Sequence, residues 1–304
     1  MIKKLFVSSA VLFAACGGPA EPEMAAPADE PKAEMAAPEA QSAPMLEGID
    51  GVLAAQPEEV QARYAYRHPK ETIEFFGIEP GMRVVEALPG GGWYSRILLA
   101  HLGNDGHLVG ADYAMDMWPK FGFMTPERIE EKKTWVSDWT SEAQGWRGPR
   151  DADVSAFVFG EMPADLNGTA DVVLFIRALH NLSRFENDGG FLTEALADAY
   201  AALKPGGVLG IVQHAVADSA PAESADGSRG YLRQDLLTQQ VTAAGFEFVA
   251  ASDVNANPLD QPADDEIVWR LPPSLVTSRE DAELRTQMEA IGESNRMTLT
   301  FRKP

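Results

Sequence analysis

The feature that most constrains the fold is a short β-prone segment that runs directly into three consecutive glycines. Residues 82–88 read Met-Arg-Val-Val-Glu-Ala-Leu, Pro89 and the glycines 90–92 follow, and helical spacing begins at Trp93. Branched side chains favour a strand, whereas glycines let the backbone turn sharply and come close to a ligand. The segment therefore predicts a strand, a tight turn and a helix whose first N–H groups are free to bind a ligand.

Strand and helix signals continue to alternate after this unit. A second β-prone segment, residues 107–111, ends in Asp112, and apolar residues across 192–203 have helical spacing that Lys-Pro-Gly-Gly at 204–207 interrupts. An earlier helical pattern spans residues 57–76. The later predicted strands are residues 154–159, 171–177, 208–214, 246–254 and 297–301. This alternation predicts one α/β domain over residues 46–304, with a mainly parallel sheet and a ligand crevice beyond the carboxyl ends of its strands.

The first 45 residues have a different character. Lys3 and Lys4 precede an apolar run at 5–13, and two alanines precede Cys16, the only cysteine. The run is too short for a permanent membrane span and resembles a bacterial lipoprotein signal peptide, which implies cleavage before a lipidated Cys16. An ordinary secretory signal is the alternative. Residues 17–45 are rich in Ala, Pro and Glu and predict an extended tether, so we expect an exported domain on the periplasmic side, anchored in the outer rather than the inner membrane.

Charge and composition exclude several classes of function. The chain has 46 acidic and 25 basic residues, a formal net charge of −21, and no cluster of Lys and Arg in the sequence. Such a chain repels polyanions, which argues against nucleic-acid binding. One cysteine cannot form a disulfide framework or a thiolate metal site. His68, His101 and His107 have no spacing with carboxylates that is typical of metal ligands, so we expect no metal.

Two carboxylates flank the predicted crevice. Asp112 ends the second predicted strand, where a carboxylate can accept hydrogen bonds from both hydroxyls of a ribose. The glycines at 90–92 lack the G-x-G-x-x-G spacing of NAD sites, and Glu86 beside the turn favours a cationic ligand over a pyrophosphate. S-adenosylmethionine, which carries an ammonium and a sulfonium, matches both features. A nicotinamide oxidoreductase is therefore a disfavoured alternative.

Several motifs together carry a family resemblance. Residues 86–94, Glu-Ala-Leu-Pro-Gly-Gly-Gly-Trp-Tyr, resemble the first motif of class I S-adenosylmethionine-dependent methyltransferases, and Asp112 is similar to their ribose-binding acid. A narrower resemblance, to a bacterial group of predicted and often exported methyltransferases, lies at residues 89–94, 177–181, 255–258 and 292–297. The resemblance implies a Rossmann-like, doubly wound sheet of seven mainly parallel strands with an antiparallel last strand, and S-adenosylmethionine as cofactor. Leu88 departs from the family pattern, which has a glycine there.

The resemblance also implies roles for individual residues. The candidate cofactor-binding residues are Glu86, Gly90, Gly91, Gly92, Asp112 and Glu161. Arg177, His180 and Asn181 lie at the carboxyl end of the fourth predicted strand, where this fold places groups that face the transferred methyl. His180 is a candidate base for an O or N nucleophile, because its ordinary pKa lies near neutrality. A histidine that only hydrogen-bonds its loop is the alternative, and His214 is a second candidate base.

The expected reaction is direct displacement of the cofactor methyl by a small-molecule acceptor on a monomeric protein. Trp118, Phe121 and Phe123, which precede a helix start at residues 125–127, form a candidate lid over an apolar substrate. The cofactor is not expected to be made outside the cytoplasm. The alternative is therefore a non-catalytic exported module that keeps the methyltransferase fold to bind another small ligand.

Overall fold

The computed structural model describes residues 48–304, so the predicted signal segment, Cys16 and the whole of the predicted tether lie outside the described residues. All seven strands predicted from the sequence are present, and a two-residue strand, β6, is additional. The strands are β1 Arg83–Ala87, β2 His107–Asp112, β3 Asp153–Val158, β4 Ala170–Ile176, β5 Leu203–Val216, β6 Leu232–Arg233, β7 Glu247–Ser252 and β8 Arg296–Arg302.

Twelve α-helices surround the sheet in the described part of the chain. They are α1 Gly48–Ala54, α2 Glu58–Gln61, α3 Tyr64–Arg67, α4 Pro69–Phe75, α5 Trp93–Leu102, α6 Pro126–Lys132, α7 Trp135–Trp146, α8 Leu179–Arg184, α9 Glu186–Gly189, α10 Phe191–Ala202, α11 Gln234–Ala243 and α12 Ala282–Ile291. The helical pattern at 57–76 is divided among α2, α3 and α4. One cause is His68, whose φ is +41°, because a residue before proline is disfavoured in the helical region. Across residues 48–304, every helix falls short of the length and apolar character that crossing a bilayer requires.

The main path through the sheet has the strand order β3-β2-β1-β4-β5-β8-β7, with β6 paired to β5. Strands β1 to β5 pair in parallel, whereas β8 is antiparallel to both β5 and β7. This confirms the predicted Rossmann-like α/β class and its antiparallel last strand. The order reverses between β1 and β4, which is where a doubly wound sheet opens a crevice at its carboxyl edge.

Both faces of the sheet are buried. On β1, Val84 belongs to an apolar cluster with Ile97 and Leu99 of α5, whereas its neighbour Val85 belongs to the opposite cluster with Leu192 of α10. Successive strand side chains point to opposite faces, so covering both faces requires apolar residues at consecutive positions. Helices on both sides hold the strand ends in place. The residues that follow β1, β2 and β4 therefore have fixed positions.

Candidate functional site

A cavity of about 450 Å³ lies at the carboxyl ends of β1 and β4. The cavity is lined by residues 88–91, 93 and 176–177, by Arg63 and Arg67 at the start and end of the α3 region, by His180 and His214, and by residues of the segments 268–274 and 293–294. The cavity thus coincides with the reversal of strand order, and its volume is within the range of small-molecule sites. This is the candidate functional site.

Two non-glycine residues in the left-handed backbone region border the cavity. Leu88 has a φ of +53° and Arg177 a φ of +59°, and each is the first residue after its strand. Their N–H groups donate to the neighbouring strand or its end, Leu88 to Ala111 O at 2.7 Å and Arg177 to Val212 O at 2.6 Å. Such a conformation costs on the order of 1–3 kcal/mol at a non-glycine residue. Leu88 therefore keeps the conformation that glycine favours, although it departs from the family pattern.

The three glycines of the turn differ in what surrounds them. Gly90 and Gly91 line the cavity, and a Cβ at Gly91 would meet no atom within 4 Å. Gly92 has a φ of +76°, and a Cβ there would lie 2.3 Å from the ring of Trp146 on α7. Gly92 is consequently needed for packing of the turn against α7. The side of Gly91 that lacks a side chain is open to a ligand.

A buried ion cluster forms one side of the cavity. The Glu293 carboxylate lies 2.8 Å from Arg63 Nε, 3.4 Å from Arg67 Nε and 3.4 Å from Arg296 Nη1. Its side chain is 5% exposed. Burial acts to raise the pKa of Glu293, but Arg67, Arg296 and Arg63 hold it below its ordinary value. Glu293 is therefore ionised and shared among three guanidinium groups.

Arg177 adds another guanidinium beside this cluster. It lines the cavity, and its buried Nε has no hydrogen-bond partner among the described residues. Burial and the charge of Arg296 lower the pKa of Arg177 to about 10, and burial and Arg177 lower that of Arg67 to about 9. Both groups remain protonated at neutral pH. The cavity is thus lined by three arginines and a single carboxylate, which leaves an excess of two positive charges.

Two buried imidazoles, His180 and His214, also line the cavity, with ring centroids 5.6 Å apart. Burial lowers the pKa of His180 to about 4 and that of His214 well below its ordinary value. His214 Nδ1 lies 2.6 Å from Ser294 Oγ. Both rings are neutral at physiological pH, because a charged imidazole loses its hydration in this environment.

The surroundings of His180 favour one of its two neutral tautomers. Gln213 Oε1 accepts from the Leu179 N–H at 3.2 Å, which turns the amide NH₂ toward Gly230 O at 3.1 Å and His180 Nδ1 at 3.5 Å. A donor facing Nδ1 favours the tautomer with its proton on Nε2. His180 is therefore arranged as a neutral hydrogen-bond donor and is a weak base.

The acid predicted to bind ribose lies outside the lining of this cavity. The Asp112 side chain is 8% exposed, and Lys132 Nζ lies 3.3 Å from its Oδ2 and 4.1 Å from the ring centroid of Trp118. Burial raises the pKa of Asp112, and the charge of Lys132 opposes this. Trp118 and Phe121 are buried, whereas Phe123 is 65% exposed. Lys132 of α6 therefore connects Asp112 to the aromatic segment.

The other candidate residues are placed as follows. Glu86 is buried, accepts from Ser95 Oγ at 2.6 Å, and has its pKa raised by burial to about 7. Asn181 Nδ2 donates to Tyr113 Oη at 3.0 Å, and Glu161 is exposed. None of these three side chains lines the cavity. Of the predicted residues, the cavity brings together Gly90, Gly91, Arg177, His180 and His214. The roles of all the predicted residues remain predictions.

Sequence reasoning missed Arg63, Arg67 and the pairing with Glu293. Arg63 and Glu293 are 230 residues apart in the chain, so no local pattern links them. The available signal was the motif at 292–297, which contains Glu293 and Ser294 but carries no indication of its partners. Within residues 48–304, no group of three or more His, Cys, Asp or Glu side chains is placed to hold a metal ion.

Comparisons with known proteins give remote likenesses only. No protein-family model matches the sequence, and no curated protein matches it. Among solved structures, an S-adenosylmethionine-dependent methyltransferase from Aquifex aeolicus is 13% identical with a TM-score of 0.47, over 85% of this chain and 100% of that one. The cyclase SpnF is 16% identical with a TM-score of 0.47, over 79% of this chain and 81% of that one.

A third solved structure is the 1,6-didemethyltoxoflavin-N1-methyltransferase of Burkholderia thailandensis, with bound 1,6-didemethyltoxoflavin and S-adenosylhomocysteine. It is 16% identical with a TM-score of 0.42, over 81% of each chain. Likenesses this remote do not identify a reaction or ligand for the present chain, and the fold class rests on its own strand order and register.

Proposed function

We propose that the protein is an S-adenosylmethionine-dependent methyltransferase that acts on a small molecule. The observation that carries the proposal is the juxtaposition of the glycine turn and Asp112 at adjacent strand ends. Ala87 of β1 pairs with Ala111 of β2, so Leu88, which follows β1, lies beside Asp112, the last residue of β2. A ligand with an adenosine half and an amino-acid half could therefore contact Asp112 and the turn at once.

The residues present fit this cofactor. The turn presents backbone at Gly90 and open space at the Cβ position of Gly91, so a ligand can approach without a clash. An ionised carboxylate is an acceptor only, which suits the two hydroxyl donors of a ribose. Asp112 already has Lys132 as a partner at Oδ2, so the cofactor competes with Lys132 for this carboxylate.

When bound, S-adenosylmethionine supplies a methyl group that a lone pair on the acceptor takes in line, while the electrons of the broken bond remain on sulfur. The chain's own residues then orient and desolvate the reactants. Trp93 and Trp269 line the cavity and reduce the polar surface that it offers to water. His180 donates a hydrogen bond in its neutral form, and it is a poor proton acceptor because its pKa is about 4. The proposed reaction thus relies on positioning more than on proton transfer.

Isothermal titration of the full-length protein with S-adenosylmethionine, S-adenosylhomocysteine and NAD tests the proposal. We expect micromolar binding of the adenosyl ligands and a loss of about 30-fold, or about 2 kcal/mol, in Asp112→Ala, because two hydrogen bonds to a charged acceptor disappear. Glu161→Ala tests whether that exposed acid contacts the adenine. The proposal fails if the folded protein binds neither adenosyl ligand, or binds NAD in preference.

Two adjacent glycines provide a matched pair for the same titration. Gly91→Ala adds a methyl group into open space and should leave the melting temperature nearly unchanged while weakening adenosyl binding. Gly92→Ala meets Trp146 and a left-handed backbone, so it should lower the melting temperature. Unchanged adenosyl affinity in Gly91→Ala would place the cofactor away from this turn.

A non-catalytic ligand-binding module is the second candidate, and one observation favours it. Among the lining residues with a shifted pKa, both histidines remain neutral, and Arg67, Arg177 and Glu293 remain charged at neutral pH, so none of them is poised to move a proton. Incubation with a methyl-labelled cofactor and a mixture of small acceptors separates the two candidates. Adenosyl binding without any labelled product would favour the module.

We also propose that the protein is exported and anchored through Cys16 in the outer membrane. The support is the sequence pattern of Lys3, Lys4, the apolar run and the small residues before Cys16. Fractionation of cells that express the full chain should place it with outer membranes, and Cys16→Ser should release it or leave it unprocessed. Recovery of the wild-type chain from the cytoplasm would contradict this proposal.

A further inference from the structure

The cavity carries more positive charge than the cofactor can balance. Arg63, Arg67 and Arg177 line it with Glu293 as the only carboxylate among the lining residues. The buried guanidinium of Arg296, which does not line the cavity, lies 3.4 Å from the Glu293 carboxylate. This local excess of cations occurs in a chain whose formal net charge is −21. Buried charges without partners are costly, so the cavity is built for a ligand that brings negative charge.

The proposed cofactor does not supply that charge. S-adenosylmethionine carries one carboxylate, one ammonium and one sulfonium at neutral pH, and is therefore a net cation. Its carboxylate can pair with one arginine, but its binding still adds positive charge to the crevice. A second, anionic ligand resolves the imbalance.

We propose that the methyl acceptor is an anion, a carboxylate or a phosphate ester, which is bound by Arg177 together with Arg67. This rests on the proposed methyltransferase function. The Arg177 guanidinium lines the cavity with an unpartnered Nε, and a guanidinium fork matches the oxygens of a carboxylate or phosphate. His180, arranged as a neutral donor, adds a hydrogen bond without adding charge.

The apolar part of the lining indicates the character of the rest of the acceptor. Trp269 lies 5.8 Å from His180 between ring centroids, and Leu271 with the two prolines 272–273 continues an apolar surface. A cavity lined by both an apolar surface and a set of cations suits a molecule with an anionic end and an apolar body. The cavity of about 450 Å³ restricts that molecule to a small compound.

The charges predict that the two ligands bind cooperatively. An anion at Arg177 favours the cationic sulfonium, whereas S-adenosylhomocysteine has a neutral sulfur and gains less from the same anion. Coupling between two ligands is reciprocal, so the cofactor should tighten the anion by the same factor. This charge-dependent difference distinguishes an anionic acceptor from a general stabilising effect of salt.

The test is isothermal titration of the full-length protein with inorganic phosphate and with succinate, at constant ionic strength. We expect one of the two to bind, and saturation with it to tighten S-adenosylmethionine at least about threefold more than S-adenosylhomocysteine. Arg177→Gln should weaken the anion at least about tenfold and by a larger factor than it weakens S-adenosylhomocysteine. Arg285→Gln, an exposed arginine paired with Glu289 on α12, is the matched control and should change neither.

A second pair of variants guards against loss of folding. Arg177→Lys and Arg67→Lys keep the charge but not the fork, so each should retain part of the anion affinity. The proposal is overturned if neither anion binds to protein that binds S-adenosylhomocysteine, or if an anion binds Arg177→Gln and wild type equally. If an anion binds through Arg177 but no adenosyl ligand binds, the anion site stands and the methyltransferase proposal fails.

Discussion

The two halves of the crevice differ in how their charged groups are satisfied. At the ends of β1 and β4, Arg177 Nε has no hydrogen-bond partner and the lining carries excess positive charge. At the end of β2, Asp112 already has an internal partner, Lys132 at 3.3 Å. The first half is therefore prepared for a ligand. In the second half, the proposed cofactor competes with a protein contact, so we expect the cost of weakening the Asp112–Lys132 pair to reduce its affinity.

The difference also shows where the folded state depends on a single group. Glu293 is the one carboxylate in contact with Arg63, Arg67 and Arg296 in the described chain. Removing one partner of a buried ion cluster leaves charges without compensation, which costs more than the cluster contributed. The cavity half should therefore be sensitive to changes at Glu293 and responsive to added anions.

The largest effect is expected from Glu293→Gln. Three guanidinium groups would lose their shared carboxylate, and we expect the free energy of unfolding to fall by about 3–5 kcal/mol. Inorganic phosphate should recover part of this loss. It should also stabilise the variant more than the wild type, because the guanidinium groups that no longer contact a carboxylate can bind phosphate. Urea unfolding at several phosphate concentrations measures both effects.

Glu289→Gln is the control, because Glu289 pairs with Arg285 on the exposed face of α12. Its loss should be below about 1 kcal/mol. A loss in Glu293→Gln that is no larger than this, or that does not respond to phosphate, would contradict the contrast between the two halves of the crevice.

A smaller effect is expected from protonation of His180. Burial lowers its folded pKa to about 4, below its ordinary value, so the unfolded chain binds the proton more readily. The stability that neutral His180 contributes is present above pH 6.5 and is lost as the pH falls toward 4, by up to about 3 kcal/mol. His180→Gln cannot take up this proton, so unfolding of both proteins at pH 7 and pH 5 should show a smaller loss in the variant. Equal losses would indicate that His180 is accessible to water.

Much of the fold was predictable because its signals are local. The apolar runs of the strands, the glycines before Trp93 and the Asp that ends β2 are each legible within a short segment, and all seven predicted strands are present. The interactions that give the site its character are not local. Arg63 meets Glu293 across 230 residues.

The orientation of a predicted residue also depends on its packing, as Glu86 illustrates. Its position beside the turn predicted a charge facing a cationic ligand. In the structure, Glu86 is buried against Ser95 of α5 and lies outside the cavity lining, and its pKa is raised to about 7. Strand alternation sets which face a side chain occupies, but the tertiary contacts that set its charge cannot be deduced from spacing alone.

The smallest predicted effect concerns the pair that closes the ribose half. In Lys132→Gln, Asp112 loses its internal partner, so an adenosyl ligand no longer has to displace a lysine. We expect S-adenosylhomocysteine to bind about three- to tenfold more tightly, equivalent to about 1 kcal/mol. The ligand-free variant should be slightly less stable than the wild type, because a buried carboxylate is left unpaired.

The neighbouring lysine supplies the control for this last comparison. Lys133 is exposed and pairs with Glu130 on the same helix, so Lys133→Gln removes an equal charge at nearly the same distance without touching Asp112. Tighter binding in both variants would indicate a general charge effect, since the cofactor is a cation. Tighter binding in Lys132→Gln alone would identify the Asp112–Lys132 pair as the contact that the ligand displaces. Weaker binding in Lys132→Gln would mean that Lys132 holds Asp112 and Trp118 in the positions that bind the ligand. Both halves of the crevice would then have their ligand-binding geometry before the ligand arrives.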